Sequence, residues 1–144
     1  MTAMETQVAA ELSSTVRRLV GDFITFLETG EVAHDLFASD IFADISMPTW
    51  RVQAGDLDAL VRIRRIDHSM PGQVVSHRAD PIPAGFVLEF EEQWQHEGGR
   101  WRARELVRAE VRDGSIAELT VYCTGDWSPQ RIVEHAATVA LLRA

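Results

Sequence analysis

Two glutamates on an otherwise apolar strand face carry the clearest chemical signal in this sequence. Glu92 and Glu105 lie in the stretch 85–112, where apolar and polar residues alternate, and both occupy positions of the apolar series. Two carboxylates close together in a low-dielectric interior cannot both ionise cheaply, so one is expected to have a raised pKa and to stay protonated near neutral pH. An acid beside a base could move a proton between two positions of a small substrate.

The spacing of these glutamates depends on a β-hairpin. Gly98-Gly99 separates the two alternating segments, and a Gly-Gly pair supplies the positive φ angles of a tight two-residue turn. If these glycines form the whole loop, Glu97 faces Arg100, and Glu92 directly faces Glu105 with Cβ atoms about 5 Å apart. On the opposite face, Glu and Gln residues alternate with Arg, so opposite charges meet across the strands.

The two glutamates also have a structural interpretation, which the sequence leaves open. Either could form a salt bridge with an inward-facing arginine such as Arg51 or Arg78 and serve the fold rather than chemistry. Two further residues extend the catalytic hypothesis. His77, one strand away, could be a third proton carrier, although a hydrogen-bonded pocket or sheet histidine is the favoured interpretation, and Asp44 could be a polar group at the pocket rim.

The segments before the hairpin predict helices and one interrupted strand. Residues 6–28 place apolar residues at three- and four-residue spacings, which predicts a helix that ends at Thr29-Gly30. A short second helix is predicted over residues 31–39. Residues 41–53 look extended but contain Met47-Pro48, which predicts an edge or a bend.

A third helix is predicted to begin at Gly55-Asp56, with Asp56 as its cap. Its predicted buried side consists of Leu57, Leu60, Val61, Ile63 and Ile66. Arg62, Arg64 and Arg65 are predicted to be mostly solvated. A strand over residues 73–80 then leads into the hairpin.

The chain after the hairpin predicts a last strand and a last helix. Asp113-Gly114 predicts a turn into a strand over residues 115–124. A two-residue loop would point Ile116, Glu118, Thr120 and Tyr122 inward, whereas a three-residue loop with a bulge would point Ala117, Leu119, Val121 and Cys123 inward. The second set is more apolar and is preferred. Ser128 and Pro129 predict a helix start, Asp126 is interpreted as a further cap, and the helix is predicted to reach about Leu142.

Composition indicates one globular domain over residues 1–144. Hydrophobic residues make up 46% and charged residues 25% of the 144 residues. No apolar run approaches the ~18 residues of a membrane span, and the first residues lack the pattern of a secretion signal, so a cytoplasmic protein without membrane contact is expected. The net charge of −8 argues against nucleic acid as a partner. Cys123, the single cysteine, is interpreted as a small core residue, and the scattered histidines do not predict a metal site.

Taken together, the elements predict an α+β fold in which helices cover one face of a curved, mainly antiparallel sheet. In this order the chain resembles the nuclear transport factor 2-like superfamily, a cone-shaped fold that includes SnoaL-like polyketide cyclases, ketosteroid isomerase, scytalone dehydratase and limonene epoxide hydrolase. The resemblance covers nearly the whole chain. It is carried by Glu28-Thr29-Gly30 at the end of the first helix, by Met47-Pro48 before the Gly55-Asp56 helix start, and by the Asp113-Gly114-Ser115-Ile116 turn into a strand ending near Tyr122.

The resemblance implies a small-molecule pocket inside the cone, no metal or nucleotide cofactor, and a homodimer formed through the outer sheet face. Epoxide hydrolase members are similar in having polar pocket residues before a Met-Pro, where this chain has Asp44 and Ser46, and an acid on the third strand, where it has Glu92. They also use an acid on the last strand, where this chain has Val121 or Tyr122. The residues expected to line the pocket are Trp50, Ser46, Phe90, Trp94, Trp101, Val107, Tyr122 and Trp127.

Two functions follow as hypotheses. The first is a cofactor-independent acid-base enzyme in secondary metabolism, acting on a small, largely apolar molecule as a cyclase, isomerase, dehydratase or epoxide hydrolase, with Glu92, Glu105, His77 and Asp44 as candidate catalytic residues. The second is a non-catalytic protein of the same fold that binds a small ligand or serves dimerisation. Unpaired glutamates in an enclosed pocket would favour the enzyme. Glutamates neutralised by arginine, or a pocket filled by tryptophan, would favour the binding protein.

Overall fold

The computed structural model describes residues 11–67 and 71–143, which form three helices and one six-stranded sheet. The elements in chain order are α1 (Ser14–Thr29), β1 (Phe37–Met47), β2 (Trp50–Ala54), α2 (Leu57–Asp67), β3 (Gly72–Ile82), β4 (Gly85–His96), β5 (Gly99–Arg112), β6 (Ser115–Cys123) and α3 (Pro129–Thr138). The sheet order is β2-β1-β6-β5-β4-β3, with β1 parallel to β6 and every other pair antiparallel. The predicted α+β fold is confirmed. None of the helices within the described residues is long and apolar enough to span a membrane.

Helix α1 forms because its ends are capped and one side is apolar. The Ser13 hydroxyl accepts the Val16 N–H at 3.2 Å, and Gly30, at φ 77°, donates its N–H to the Phe26 carbonyl at 2.8 Å. The buried stripe consists of Val16, Leu19, Val20, Phe23, Phe26 and Leu27. The predicted end of the helix is confirmed, whereas residues 11–13, which were predicted to be helical, precede the helix. The predicted start near Thr6 lies outside the described residues.

The predicted second helix over residues 31–39 is wrong. Asp35 has a φ of 61°, which no helix accommodates, and β1 begins at Phe37. The Leu36 carbonyl accepts the Ile116 N–H at 2.9 Å, and Phe37 pairs with Ile116 in the sheet. Leu36 and Phe37 are buried as predicted. Pairing with β6 therefore overrides a helical spacing that spanned only a few residues.

The proline-containing segment forms a hairpin at the edge of the sheet. β1 and β2 pair on either side of Pro48, from Met47 opposite Trp50 to Ala43 opposite Ala54. This confirms the bend predicted from Met47-Pro48. Ala43 and Ala54 are buried, so the inner face of this hairpin joins the core.

Helix α2 confirms the predicted cap and corrects the predicted faces. The Asp56 carboxylate accepts the Ala59 N–H at 2.8 Å, and Leu60 is buried. Ile66 is 75% exposed, although it was predicted to be buried. Arg64, which was predicted to be solvated, is buried because it lies one turn after Leu60, on the side of the helix that faces the sheet.

The β4–β5 hairpin turns one residue earlier than predicted. His96 pairs with Gly99, so the two loop residues are Glu97 and Gly98, not the two glycines. Gly98 has a φ of 82°, and Gly99, at φ 126°, is the first residue of β5. The indole N–H of Trp101 donates to the Glu97 carbonyl at 2.7 Å and closes the turn.

This turn changes which residues pair across the two strands but not the side of the sheet on which their side chains lie. Glu92 faces Ala103, and Glu105 faces Phe90, so the predicted direct Glu92–Glu105 pair is wrong. The register differs from the predicted one by two residues, and strand side chains repeat with a period of two. Both glutamates therefore stay on the inner face, as diagonal neighbours.

The last strand points the preferred set of residues at the core, but its turn has a different length from the preferred one. Asp113 and Gly114, at φ 52° and 80°, form a two-residue loop, not the three-residue loop that was preferred. A bulge then makes Ala117 an extra residue, because Val111 pairs with Ile116 and Glu110 pairs with Glu118. The predicted bulge is confirmed, and Leu119, Val121 and Cys123 line the interior.

Helix α3 is capped as predicted but is shorter and only loosely packed. The Ser128 hydroxyl accepts the Arg131 N–H at 3.1 Å, and Pro129 is the first helical residue. The helix ends at Thr138 rather than near Leu142, and none of its residues is buried. Because Ser128 fills the cap position, Asp126 is not needed as the cap of this helix.

Candidate active site

A cavity of about 180 Å³ lies between α1, α2 and the inner face of the sheet. Its apolar lining consists of Phe23, Phe26, Leu27, Ile45, Met47, Leu60, Ile63, Phe90, Val107, Leu119 and Val121, and its polar lining of Arg64, Glu105, Cys123 and Asp126. An apolar cavity of about 150 Å³ accommodates benzene, so this space suits a molecule of roughly six to ten non-hydrogen atoms. Tryptophan side chains do not line it.

A buried ion pair lies at one wall of the cavity. Arg64 on α2 donates from Nη1 to Glu92 Oε2 at 3.2 Å and from Nη2 to Glu92 Oε1, and Nη2 also donates to the Leu27 carbonyl at 2.6 Å. Glu92 is only 2% exposed. A two-point contact of this kind holds both side chains in a fixed geometry. The structural interpretation therefore applies to Glu92, with Arg64 as the arginine.

The two arginines proposed for that role lie elsewhere. Arg51 donates from Nε to Asp44 Oδ1 at 2.7 Å, and this hydrogen bond lowers the pKa of Asp44. Arg78 lies 3.7 Å from Glu89 and is largely exposed. The prediction that Arg51 or Arg78 neutralises the inner glutamates is wrong.

Glu105 is the buried acid of the cavity. It is 8% exposed, and this burial raises its pKa well above the ordinary range; a hydrogen bond with Glu92 and the negative charge of Glu92 raise it further, while the charge of Arg64 opposes them. Among the residues that the structure describes, none donates a hydrogen bond to Glu105 Oε2. Two carboxyl groups can share a hydrogen bond only if one is protonated, and the raised pKa favours Glu105 as the protonated member. An ion-paired glutamate and a glutamate with a raised pKa thus lie side by side.

Cys123 lies beside Glu105 but is not an activated nucleophile. The two residues face each other in the β5–β6 pair, and burial raises the pKa of the Cys123 thiol to about 12, with a further contribution from the charge of Glu105. A thiol with that pKa stays protonated at neutral pH. Within residues 11–67 and 71–143, no group of three or more His, Cys, Asp and Glu side chains is arranged to hold a metal ion.

Four of the predicted pocket residues, Phe90, Trp94, Trp101 and Val107, lie on the inner face of the hairpin. Phe90 and Val107 line the cavity; Phe90 pairs with Glu105 across the two strands, and Val107 lies two residues after Glu105 on β5. Trp94 is buried on the same face, opposite Trp101, but does not line the cavity. The hairpin thus supplies both the acid and part of the apolar wall.

The residues predicted to form a polar rim of the pocket lie on the outer face of the sheet. Ile45 and Met47 line the cavity, so Asp44 and Ser46, which alternate with them, point to the other side of β1. Tyr122 is 59% exposed and pairs with Ser46 on that outer side. The structure does not bring these three residues to the cavity, because strand alternation assigns them to the outer face of the sheet.

His77 and Trp50 are also away from the cavity. His77 is exposed on β3, and lines a shallow surface depression with Arg78 and Arg104. Trp50 is 69% exposed at the start of β2. Neither residue lines the cavity that Glu105 lines.

Trp101 and Trp127 line a second, open groove between α3 and the sheet. The Trp127 ring packs edge-on against His135, with ring centroids 5.1 Å apart, and the Arg102 guanidinium lies 5.3 Å from the Trp127 ring centre. Asp126 lines both this groove and the cavity. The two tryptophans therefore attach α3 to the sheet rather than enclose a ligand beside Glu105.

Two cavity residues were not recognised in the sequence as site residues. Arg64 follows Leu57 and Leu60 by seven and four positions, a spacing that places it on the buried side of α2 and could have identified it. Asp126 was interpreted as a helix cap. The presence of Ser128 as a better cap was the available signal that Asp126 had another role.

Comparisons with known proteins show similarity at the level of structure. No protein-family model and no curated protein matches the sequence. An NTF2-like protein from Anabaena variabilis is 18% identical with a TM-score of 0.66, over 81% of this chain and 96% of that chain. An LEH-like epoxide hydrolase from M. tuberculosis is 18% identical with a TM-score of 0.60, over 77% of this chain and 84% of that chain.

A further solved structure extends the similarity to most of the chain. It is a provisionally assigned ketosteroid isomerase from Kribbella flavida, 18% identical with a TM-score of 0.56, covering 92% of this chain and 93% of that chain. Identities this low show a common fold and not a common reaction. By its helices, its six-stranded mixed sheet and these neighbours, the chain has the nuclear transport factor 2-like fold.

Proposed function

We propose that this protein is an acid-base enzyme acting on a small, largely apolar molecule that carries an oxygen function, with Glu105 as the general acid. The observation that carries the proposal is a buried glutamate, Glu105, whose pKa is raised and which lines an apolar cavity next to a buried Arg64–Glu92 pair. A carboxyl group with a raised pKa can keep its proton at neutral pH and transfer it to a substrate oxygen.

In the proposed step, the Glu105 carboxyl gives its proton to the substrate oxygen and becomes a carboxylate. The positive charge of Arg64, which already lowers the pKa of Glu105, stabilises that carboxylate. Glu92 shares a hydrogen bond with Glu105 and provides a route by which the proton can return. Glu92 is thus a positioning and proton-relay residue, held in place by Arg64.

Protonation of oxygen begins several related reactions. It opens an epoxide, turns a hydroxyl group into a leaving water, and assists the enolisation of a ketone, which are steps of the hydrolase, dehydratase, isomerase and cyclase classes. The similar folds of the epoxide hydrolase and the provisionally assigned ketosteroid isomerase support this range. No metal or nucleotide takes part in the proposed step. A cytoplasmic role in secondary metabolism is part of the proposal and rests on the sequence and the resemblance.

The test is turnover of small oxygen compounds by the wild-type protein and by Glu105→Gln. A panel of epoxides, β,γ-unsaturated ketones and β-hydroxy ketones of about six to ten non-hydrogen atoms matches the cavity. Glutamine keeps the size of Glu105 but has no acidic proton, so kcat is expected to fall about 100-fold or more. Glu89→Gln, at an exposed position of the same hairpin, is the matched control and should keep the wild-type kcat. Equal kcat for wild type and Glu105→Gln would exclude Glu105 as the acid.

A non-catalytic ligand-binding protein is the second candidate. Arg64 neutralises Glu92, and eleven of the fifteen residues around the cavity are apolar, features that binding alone would also need. Saturable binding of panel compounds without turnover of any of them would favour this function.

We also propose that the protein is a homodimer formed through the outer sheet face. On that face Leu106 is 42% exposed and lies directly opposite Tyr122, so two apolar side chains form a patch beside the alternating charged residues. Burial of such a patch against a second copy would remove it from water.

A further inference from the structure

The buried guanidinium of Arg64 has one donor that the protein does not use. Both terminal nitrogens are engaged by Glu92 and the Leu27 carbonyl, but Nε is buried and has no hydrogen-bond partner within residues 11–67 and 71–143. Leaving a buried donor unpaired is costly, and native proteins pair nearly all such groups. Arg64 is more than nine-tenths buried and lines the cavity. Its unused donor therefore lies on a residue that a ligand in the cavity would touch.

We infer that Arg64 is a substrate-binding residue whose Nε–H donates to an oxygen of an uncharged substrate held beside the Glu105 carboxyl. The inference rests on the proposed function, since it assigns the substrate class of the same cavity. It gives Arg64 a role beyond the ion pair with Glu92: it selects the ligand.

The type of ligand atom follows from the donor. Arginine nitrogens only donate hydrogen bonds, so the partner must be an acceptor such as a carbonyl, epoxide or hydroxyl oxygen. The same oxygen would then lie near the carboxyl that is proposed to protonate it. A ligand that carries only hydrocarbon would leave Nε unpaired.

The charge of the ligand follows from the balance of the site. The positive charge of Arg64 is matched by Glu92 in the two-point contact, and Glu105 is protonated. A carboxylate ligand would add an unbalanced negative charge, and an ammonium ligand an unbalanced positive charge, to an interior where unpaired charges are costly. An uncharged ligand keeps the site neutral.

The test is a series of six-membered-ring compounds of nearly equal size. Cyclohexanone and cyclohexene oxide carry the acceptor, methylenecyclohexane lacks it, and cyclohexylamine and cyclohexanecarboxylate carry a charge at neutral pH. Binding is measured by protein-observed NMR, including the side-chain Nε–H resonance of Arg64, which is assigned by its loss in Arg64→Lys. The two oxygen compounds are expected to bind about tenfold more tightly than methylenecyclohexane, as for a hydrogen bond to a charged donor, and to shift that resonance.

The variants separate this inference from the proposed catalytic step. Arg64→Lys keeps the positive charge opposite Glu92 but loses the Nε–H, so it should bind cyclohexanone about as weakly as methylenecyclohexane. Glu105→Gln should keep the preference for oxygen compounds while losing turnover. If Arg64→Lys does not fold, the relative affinities of the wild-type protein for the five compounds still decide.

Three results would overturn the inference: binding of a charged compound as tight as that of cyclohexanone, no preference over methylenecyclohexane, or an Arg64 Nε–H resonance that cyclohexanone leaves unmoved. If Glu105→Gln kept the turnover of the wild-type protein while the preference for oxygen compounds remained, only the proposed general acid would be contradicted.

Discussion

The two faces of the β4–β5 hairpin use the same residue types with opposite consequences. On the outer face, Arg108 and Glu110 lie 2.9 Å apart with half and about a third of their side chains exposed. On the inner face, Glu92 and Glu105 are almost completely buried. Water screens the outer pair, whereas the inner glutamates need a buried arginine and a shared proton. The chemistry of a glutamate in this sheet is set by its face.

The largest effect is expected from removing the buried arginine. Arg64→Met leaves Glu92 as an uncompensated buried charge, which should lower the free energy of unfolding by about 3–5 kcal/mol. Urea denaturation followed by circular dichroism measures this change. Arg108→Met applies the same substitution to the outer face and should cause little or no loss, because exposed ion pairs contribute little.

A double variant sharpens this prediction. Arg64→Met together with Glu92→Met replaces the ion pair by apolar side chains and should recover most of the lost stability. Equal losses for Arg64→Met and Arg108→Met would mean that the two faces do not differ as described.

A smaller effect is expected in the pH dependence of stability. The folded-state pKa of Glu105 is raised above its ordinary value of 4.5, so between that value and the raised one the folded protein keeps a proton that the unfolded chain has lost. The free energy of unfolding therefore falls as pH rises through this range. Glu105→Gln removes this dependence and should become more stable relative to wild type as the pH rises above about 4.5.

Urea denaturation of both proteins at several pH values measures this difference, since all other titrating groups are common to them. Glu89→Gln, on the outer face, is the control and should follow the wild-type pH dependence. A pH-independent difference between Glu105→Gln and wild type would show that Glu105 is not held protonated.

The smallest effect on stability is expected at the outer face itself. Leu106→Lys should leave the unfolding of the monomer nearly unchanged, because Leu106 is 42% exposed, yet it should abolish the proposed dimer by placing a charge in its interface. Sedimentation velocity at micromolar concentration distinguishes the two states. Val133→Lys on α3 alters another exposed apolar side chain and should remain dimeric. A wild-type protein that sediments as a monomer would refute the dimer.

Local signals in the sequence predicted most of the elements. Asp56 and Ser128 each cap a helix as predicted, and Gly30 ends α1 in the left-handed conformation. These features depend on a few neighbouring residues, so the sequence is sufficient to find them. The helix predicted over residues 31–39 fails for the opposite reason, because its fate depends on a partner strand about 80 residues away.

The candidate site also contains residues whose positions the sequence predicted and residues whose positions it did not. The alternation of residues in β4 and β5 placed Glu92 and Glu105 on one inner face, and this survives a hairpin register that differs by two residues, because the period of a strand is two. The assignment of Asp44 and Ser46 to the pocket was taken from the resemblance rather than from alternation, and the strand places both outside.

The sequence by itself determined the helix caps, the turns, the apolar face of the hairpin and the two acids upon it. Only the tertiary structure decided that Arg64 reaches Glu92, that the pKa of Glu105 is raised and that the cavity is small. The partners in these contacts lie on α2, β4 and β5, and their pKa values depend on a burial that exists only after the helices have packed on the sheet. Residue types determine which ionisable groups are present, and packing determines the pKa of each group in the folded protein.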